Sequence, residues 1–161
     1  MTVGSDGFDA IAFRNCLGAF ATGVTIVTTT VDGEVHGMTA NAFVSVSLDP
    51  PLVLVSVAEN ARMATLLPQS GRCCVSILGK EHEAVAMHFA GRRSLEADEI
   101  FDVSNELPLI SGAVAHLSCR ITAAHPAGDH TLFIGQVENL WNSGGEPLLL
   151  HSGKFCAVGR D

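Results

Sequence analysis

The chain has 161 residues, of which 47% are hydrophobic and only 16% are charged, and its formal net charge is −8. This length is typical of one domain with a sizeable core, and the composition excludes a disordered chain. The acidic balance and the lack of a Lys/Arg cluster argue against nucleic-acid and acidic-membrane partners. So few charges for this size favour a homo-oligomer.

The five cysteines are odd in number and show no C-x-x-C spacing. We therefore expect these cysteines to be small, buried hydrophobic residues of a protein in a reducing compartment, and not to form a zinc or redox site. Residues 1–7 lack the basic and apolar regions of a signal peptide, and the longest uncharged run, residues 15–31, is too rich in threonine and glycine to span a membrane. The sequence thus predicts a cytoplasmic protein with a flexible N-terminus over residues 1–7 and one domain over residues 8–161.

The first elements along the chain are a helix and a hairpin. Apolar residues at near-helical spacing over positions 8–20 predict a helix that Gly23 ends, and we expect this helix to cap one end of a barrel. The β-branched residues over positions 24–31 predict a strand. Asp32-Gly33 is a turn signal, so the following residues should form the return strand of a hairpin.

The central block, residues 38–58, predicts two strands around a rigid corner. Apolar residues alternate with serines, the pattern breaks at Asp49-Pro50-Pro51, and an apolar run resumes over residues 52–57. Neither proline can donate a hydrogen bond to a strand ladder, and the first proline favours an extended residue before it. A sheet must therefore turn or end at this point.

Short helices and late strands follow. We expect a helix over residues 61–67 that Pro68 ends, a strand over residues 73–78 and a helix over residues 80–90. Residues 92–108 carry several charges and predict an exposed loop. Further strands are expected over residues 113–123, 130–142 and 147–151, with a short one over residues 155–158.

Many strands and few short helices favour a closed or half-closed antiparallel barrel over a doubly wound sheet. No G-x-G-x-x-G motif follows a strand, and no P-loop lysine motif occurs. A nucleotide bound by this chain would therefore be held by a device other than a Rossmann or P-loop turn.

Three motifs carry a family resemblance. Residues 37–57 have the sequence GMTANAFVSVSLDPPLVLVSV, residues 128–130 are Gly-Asp-His at the start of a predicted strand, and PLL and GKF occupy residues 147–149 and 153–155. In order and spacing, these motifs resemble those of the short-chain flavin reductase family, the small reductase partners of two-component flavin monooxygenases. The resemblance covers about residues 13–158.

This resemblance implies a mainly β fold, an antiparallel Greek-key split β-barrel, and a homodimer. It implies that FMN or FAD lies across residues 39–47 and that a nicotinamide cofactor stacks on the flavin ring and transfers a hydride to flavin N5. Reduced flavin would then pass to a separate monooxygenase. Because no arginine cluster awaits a 2′-phosphate, we expect NADH rather than NADPH as the donor.

The residue chemistry supports the same placement. An isoalloxazine needs directional hydrogen bonds along its pyrimidine edge, which backbone N–H groups and side chains such as Thr39 and Asn41 can supply. The flavin phosphate needs several donors together, and a helix start at Asn60-Ala61-Arg62 offers free N–H groups and a guanidinium. The full set of expected flavin- and nicotinamide-binding residues is Thr39, Ala40, Asn41, Ala42, Ser45, Val46, Ser47, Ser56, Asn60, Ala61, Arg62, Phe89, Gly128, Asp129, His130 and His151.

His130 is the expected catalytic residue, because the resemblance gives the Gly-Asp-His motif a role in engaging the nicotinamide. We expect it to orient the nicotinamide by hydrogen bonding and not to act as a general base, since hydride transfer to the flavin removes no proton from a substrate hydroxyl. His151 is a further candidate of the same kind. The other histidines show no ligand spacing on one element, so no metal site is expected.

Several of these positions have a purely structural alternative. Ser45 and Ser47 would also suit the outward face of an amphipathic strand, Arg62 a solvated helix start, and Phe89 the core. The sequence also departs from the family pattern in having Ala42 where a serine is frequent and Leu150 where an aromatic residue is common. These departures bear on the tightness of flavin binding and on cofactor stacking near the C-terminus.

Two other functions suit the same fold. One is a reductase that retains its flavin and passes electrons to a metal complex such as ferric iron or a corrinoid. The other is a non-catalytic flavin- or haem-binding split barrel, because a fold does not fix a function.

Overall fold

Antiparallel strands dominate the part of the chain that the computed structural model describes, residues 9–92, 94–102 and 107–159. The helices are α1 (Ala10–Gly18), α2 (Arg62–Ser70), α3 (Glu83–Phe89) and α4 (Ala97–Ile100). The strands are β1 (Thr22–Gly23), β2 (Thr25–Val31), β3 (Glu34–Ala40), β4 (Phe43–Leu48), β5 (Pro51–Ala58), β6 (Arg72–Ile77), β7 (Ala115–Ala127), β8 (His130–Asn142), β9 (Leu149–His151) and β10 (Lys154–Cys156). The predicted N-terminal segment, residues 1–7, lies outside the described residues.

The strands form two antiparallel sheets. A seven-stranded sheet has the order β3-β2-β6-β7-β8-β5-β4, and a three-stranded sheet has the order β1-β9-β10. In the large sheet, β3 and β4 follow one another in the chain but lie at opposite ends of the strand order. β3 nevertheless contacts β5, and the link from β3 to β4 hydrogen-bonds to β5, so the sheet curves around a core as the predicted half-closed barrel requires.

Local sequence signals account for the two corners that shape this sheet. Asp32 and Gly33 both have positive φ, at 52° and 80°, which is the geometry of a type I′ hairpin turn that matches strand twist. At the second corner β4 ends at Leu48 and β5 begins at Pro51, with a cis peptide bond between Asp49 and Pro50. The predicted hairpin and the predicted rigid corner are both confirmed.

Two hydrophobic clusters lie on the two faces of the sheet. Inside the barrel, α2 contributes its buried side chains to a cluster with strand residues: Val27, Val55, Met63, Leu66, Leu67 and Phe133. On the outer face, α3 and the segment after it cover β2 in a second cluster: Ile26, Leu78, Val85, Ala86, Ile100 and Ile110. The two helices thus pack on opposite faces of the same end of the sheet.

The structure corrects two predicted boundaries. The helix that Pro68 was expected to end runs on to Ser70, because a proline costs one hydrogen bond in the last turn while the buried Leu66 and Leu67 hold the helix in place. Gly71 closes it with a left-handed conformation (φ 68°). The predicted exposed loop over residues 92–108 contains α4, because Ile100 is buried against the outer cluster.

The first helix is present, but it does not cap the barrel as expected. Asp9 caps α1 by accepting a hydrogen bond from the backbone N–H of Ile11. No residue of α1 is buried, and Ile11, Leu17 and the following Phe20 are 72%, 57% and 77% exposed. These three side chains therefore lie outside the core that the described residues form. None of the described helices is long and apolar enough to cross a bilayer.

Candidate active site

A cleft of about 900 Å³ lies at the outer edge of β3. The start of α2 forms one side and the end of α3, with the segment that follows, forms the other. Its lining residues are Glu34, Val35, His36, Gly37, Met38, Ala61, Arg62, Met63, Leu66, His88, Phe89, Gly91, Ser94, Leu95, Glu96, Ile100 and Phe101. Of the predicted site residues, the structure places Ala61, Arg62 and Phe89 on this cleft.

The edge of β3 gives the cleft a row of backbone polar groups. β3 is the last strand of its sheet, and it pairs with β2 on one side only in the part of the chain that the structure describes. Alternate residues of an edge strand direct their N–H and C=O groups away from the sheet. Residues 34–38 therefore offer backbone donors and acceptors to a ligand in the cleft.

The start of α2 offers a positive site. Ala61 is the N-cap residue, with extended backbone angles, and no side chain caps the helix. The first-turn N–H groups lack an intrahelical partner in any α-helix, and the helix dipole is positive at this end. Arg62, in the first turn, is exposed and lines the cleft. This combination suits a phosphate group.

Phe89, at the end of α3, forms the aromatic wall of the cleft. The ring of His88 meets it edge to face with the centroids 5.0 Å apart, and Phe101 lies 6.2 Å from it. His88 Nδ1 also accepts hydrogen bonds from the backbone N–H groups of Ser94 and Leu95, both at 3.1 Å. His88 thus ties the rim segment of the cleft to the end of α3.

Thr39 does not serve as the free donor that the sequence analysis expected. Its hydroxyl donates to the backbone oxygen of Ala86, at 2.6 Å, across the contact between β3 and α3. A hydroxyl has one proton to donate, so this group cannot also donate to a ligand. In this structure Thr39 instead fixes α3 against β3.

The Gly-Asp-His motif forms the turn between β7 and β8. Gly128 has positive φ (65°), and Ala127 pairs with His130 across the two-residue loop. The backbone oxygen of Asp129 accepts from the N–H of Glu59 at 3.0 Å, which places this turn beside the end of β5. The structure therefore brings the motif next to the segment that leads into α2.

His130 and Asp129 form a hydrogen-bonded pair within this turn. The imidazole Nδ1 donates to Asp129 Oδ1 at 2.6 Å, so the other ring nitrogen, Nε2, remains available to a ligand. This hydrogen bond, and secondarily the charge of the imidazole, holds the pKa of the Asp129 carboxyl below its usual value. The carboxylate in turn fixes the orientation of the ring.

The other predicted residues do not line this cleft. Ala40 is buried and its carbonyl accepts from the Thr25 hydroxyl. The Asn41-Ala42 link joins β3 to β4, and the carbonyl of Ala42 accepts from the N–H of Ser56 on β5. Ser45, Val46 and Ser47 lie on β4, Asn60 precedes the α2 cap, and His151 is an exposed residue of β9.

Much of the cleft wall was missed by the sequence analysis. Glu34, His36 and Met38 line it from β3, while His88 and Glu96 line it from α3 and the segment after it. Gly37 is the first residue of the 37–57 motif. Its closeness to Phe89 could not be predicted from the sequence, because it depends on how α3 packs against β3. The predicted hairpin was the one sequence signal that could have indicated these residues. In the structure its second strand, β3, pairs with β2 alone, and its other edge is open to a ligand.

Comparison with known proteins shows the family to which the chain belongs. Residues 17–159 match the family described as flavin reductase like domain. This chain belongs to that family. Among its relatives, an NADH-dependent flavin reductase of a Rhodococcus species is 50% identical over 155 residues, with 92% of this chain and 88% of the relative covered. The reductase component of a 4-hydroxyphenylacetate 3-monooxygenase of Thermus thermophilus is 42% identical over 129 residues, covering 80% and 83% of the two chains.

A solved member of the flavin reductase family has the same fold. It is the NADH:FAD oxidoreductase SgcE6 of Streptomyces globisporus C-1027, determined in complex with NAD and FAD fragments. It is 39% identical to this chain, covers 99% of each chain and superposes with a TM-score of 0.87. The family, the split-barrel fold and the flavin reductase function implied by the sequence motifs are confirmed.

The Asp129–His130 pair predicts a measurable pH effect. Replacing His130 by alanine should raise the pKa of the Asp129 carboxyl toward its usual value, because the hydrogen bond and the positive charge are both removed. Since the folded-state pKa is lowered, the pair stabilises the folded chain above the unfolded-state pKa of the carboxyl, and this contribution is lost as the pH falls through the folded-state pKa. Carboxyl-carbon NMR titration of both proteins measures the shift. An identical titration would contradict the pairing.

Proposed function

We propose that this protein binds FMN or FAD in the cleft beside β3 and reduces it with NADH, by hydride transfer to flavin N5. Reduced flavin then passes to a separate monooxygenase. The observation that carries this proposal is the joining, in one cleft, of a positive helix start, a polar strand edge and an aromatic wall. A flavin nucleotide combines a phosphate, a polar ring edge and a flat aromatic surface, so each part of the ligand meets a matching part of the cleft.

The size and chemistry of the cleft fit such a ligand. A volume of about 900 Å³ is at the upper end of the range for small-molecule and cofactor sites, roughly 300–1,000 Å³. The phosphate would lie at the first turn of α2, held by backbone N–H groups and Arg62. The side chain of Phe89, which is only partly buried, would cover the ring system.

Hydride acceptance is the chemistry that a flavin would supply when bound here. The residues of the chain would bind and orient it. The edge of β3 would hold the polar side of the ring, Phe89 would exclude water from one side, and the start of α2 with Arg62 would hold the charged end. Rate enhancement from such a site comes mainly from proximity and orientation, so it needs no nucleophile and no acid–base pair.

We assign His130 to the nicotinamide. Its Nδ1 is engaged by Asp129, which leaves Nε2 to accept or share a hydrogen bond with the carboxamide of NADH. The turn that carries it lies beside the end of β5 and hence close to the start of α2. This placement lets one ligand reach from the Gly-Asp-His turn toward the flavin.

NADH is the favoured donor over NADPH. Arg62 is the one arginine among the described residues that line the cleft, and we assign it to the flavin phosphate. Glu34 and Glu96 line the same cleft, so an additional 2′-phosphate there would meet negative charge.

We also propose a homodimer in which α1 is buried against a second copy. Ile11, Leu17 and Phe20 are exposed in the single chain, although a chain with few charges gains stability by covering large apolar side chains. The family resemblance implies the same state. The five free cysteines suit a reducing compartment, and we place the protein in the cytoplasm.

The phosphate site is tested by comparing flavins. Arg62→Ala should raise the Kd of FMN and FAD roughly fivefold, because an exposed charge-assisted hydrogen bond contributes on the order of 1 kcal/mol. Riboflavin has no phosphate, so its Kd should change less than about twofold, and it serves as the matched control. Flavin fluorescence titration measures all three. Equal losses for riboflavin and FMN would remove Arg62 from the phosphate site.

The role of His130 is tested by the two KM values of the reaction. His130→Ala should raise the KM for NADH by a factor of about ten, and the KM for FMN or FAD by less than about two, because the side chain is assigned to the nicotinamide alone. NADH oxidation is followed by absorbance at saturating flavin and then at saturating NADH. A parallel rise in both KM values would count against the assignment.

The dimer surface is tested by sedimentation velocity. The unmodified chain should sediment as a dimer, and Leu17→Glu should shift it toward monomer, because a buried charge without a partner is costly. Gln69→Glu places the same charge on an exposed position of a different helix, α2, and should leave the dimer intact. A monomeric unmodified chain would refute the proposal.

A further inference from the structure

We infer that Gly37 is a positioning residue that sets the width of the cleft, because the ring of Phe89 occupies the space in which any other residue would carry its side chain. Both residues line the cleft. As far as the ligand is concerned, this inference rests on the proposed placement of the flavin. As far as the ring is concerned, it rests on packing alone.

The contact between the ring and the strand is very close. A Cβ atom added to Gly37 would lie 2.4 Å from Cε1 and 2.7 Å from Cδ1 of Phe89, and 3.1 Å from Cζ. Carbon atoms that are not bonded pack best at about 3.5–4.0 Å. The ring therefore lies directly on the backbone of β3, and one methyl group at position 37 is enough to displace it.

Backbone strain does not explain this glycine. Gly37 stands in the middle of β3, paired with Thr28, and it is not among the glycines with positive φ. Any residue could adopt its backbone conformation. The requirement for glycine at this position thus comes from the ring above it.

The ring can yield in only some directions because α3 is held from several sides. The hydroxyl of Thr39 binds the carbonyl of Ala86 at 2.6 Å, and Val85 and Ala86 are buried in the outer cluster. His88 and Phe101 flank the ring at 5.0 Å and 6.2 Å between centroids. A methyl group at position 37 would therefore turn the ring away from the strand and into the cleft.

A narrower cleft should weaken the binding of all three flavins to a similar extent. Riboflavin, FMN and FAD share the ring system and differ in the phosphate and the adenylate. An intruding Phe89 ring would obstruct the shared part. This pattern differs from that of Arg62→Ala, which spares riboflavin, so the two substitutions report on different parts of the site.

The test is a double-mutant cycle on flavin binding. Gly37→Ala should raise the Kd of riboflavin, FMN and FAD by a factor of about ten, the equivalent of about 1.4 kcal/mol. When the ring has been removed by Phe89→Ala, the further change Gly37→Ala should alter each Kd less than about twofold. Gly23→Ala is the matched control, because it also stands in a strand and nothing lies within 4 Å of an added Cβ.

A second readout does not depend on the ligand. In a crystal structure of Gly37→Ala without flavin, the Phe89 ring should be turned into the cleft while β3 keeps its place. A displaced strand under an unmoved ring would overturn the inference, as would equal effects of Gly37→Ala with and without the ring. If Arg62→Ala leaves the Kd of every flavin unchanged, the proposed placement of the flavin is wrong. The crystal structure of Gly37→Ala then still tests the position of the Phe89 ring.

Discussion

The cleft depends on one packing arrangement, in which two helices pack against opposite faces of the last strand of a sheet. α2 packs inside the barrel and α3 packs outside it, and the edge of β3 is left exposed between them. The hydrogen bond from Thr39 to Ala86 fastens the outer helix to the strand. Because both helices pack against the same strand, the cleft combines the free edge of β3, the start of α2 and the ring of Phe89.

This arrangement divides the work of the site between rigid elements. In the proposed placement the charged end of a ligand would lie at α2 and its flat surface against the end of α3, while the Gly-Asp-His turn of the β7–β8 hairpin lies beside the end of β5. None of these groups needs to transfer a proton. We therefore expect substitutions to have graded effects on binding, as suits a site that orients two ring systems for hydride transfer.

Most of the fold could be predicted from local signals in the sequence. The turn at Asp32-Gly33 and the corner at Asp49-Pro50 follow from backbone chemistry that two or three residues determine, and the motifs led to the correct family. The cleft was harder to foresee. The engagement of Thr39 by Ala86 and the packing of Phe89 on Gly37 join segments about fifty residues apart, and no periodicity in either segment reveals them. Likewise, α1 has the apolar spacing of a packed helix, yet none of its residues is buried against the part of the chain that the structure describes.

The proposed function requires the cleft beside β3 to hold the flavin. A crystal structure of the protein with bound FMN would show where the flavin lies. We expect the phosphate at the first turn of α2, within hydrogen-bonding distance of Arg62, and the ring system against Phe89. A flavin bound on the exposed face of β4 around Ser45 and Ser47, with the cleft free of ligand, would contradict it.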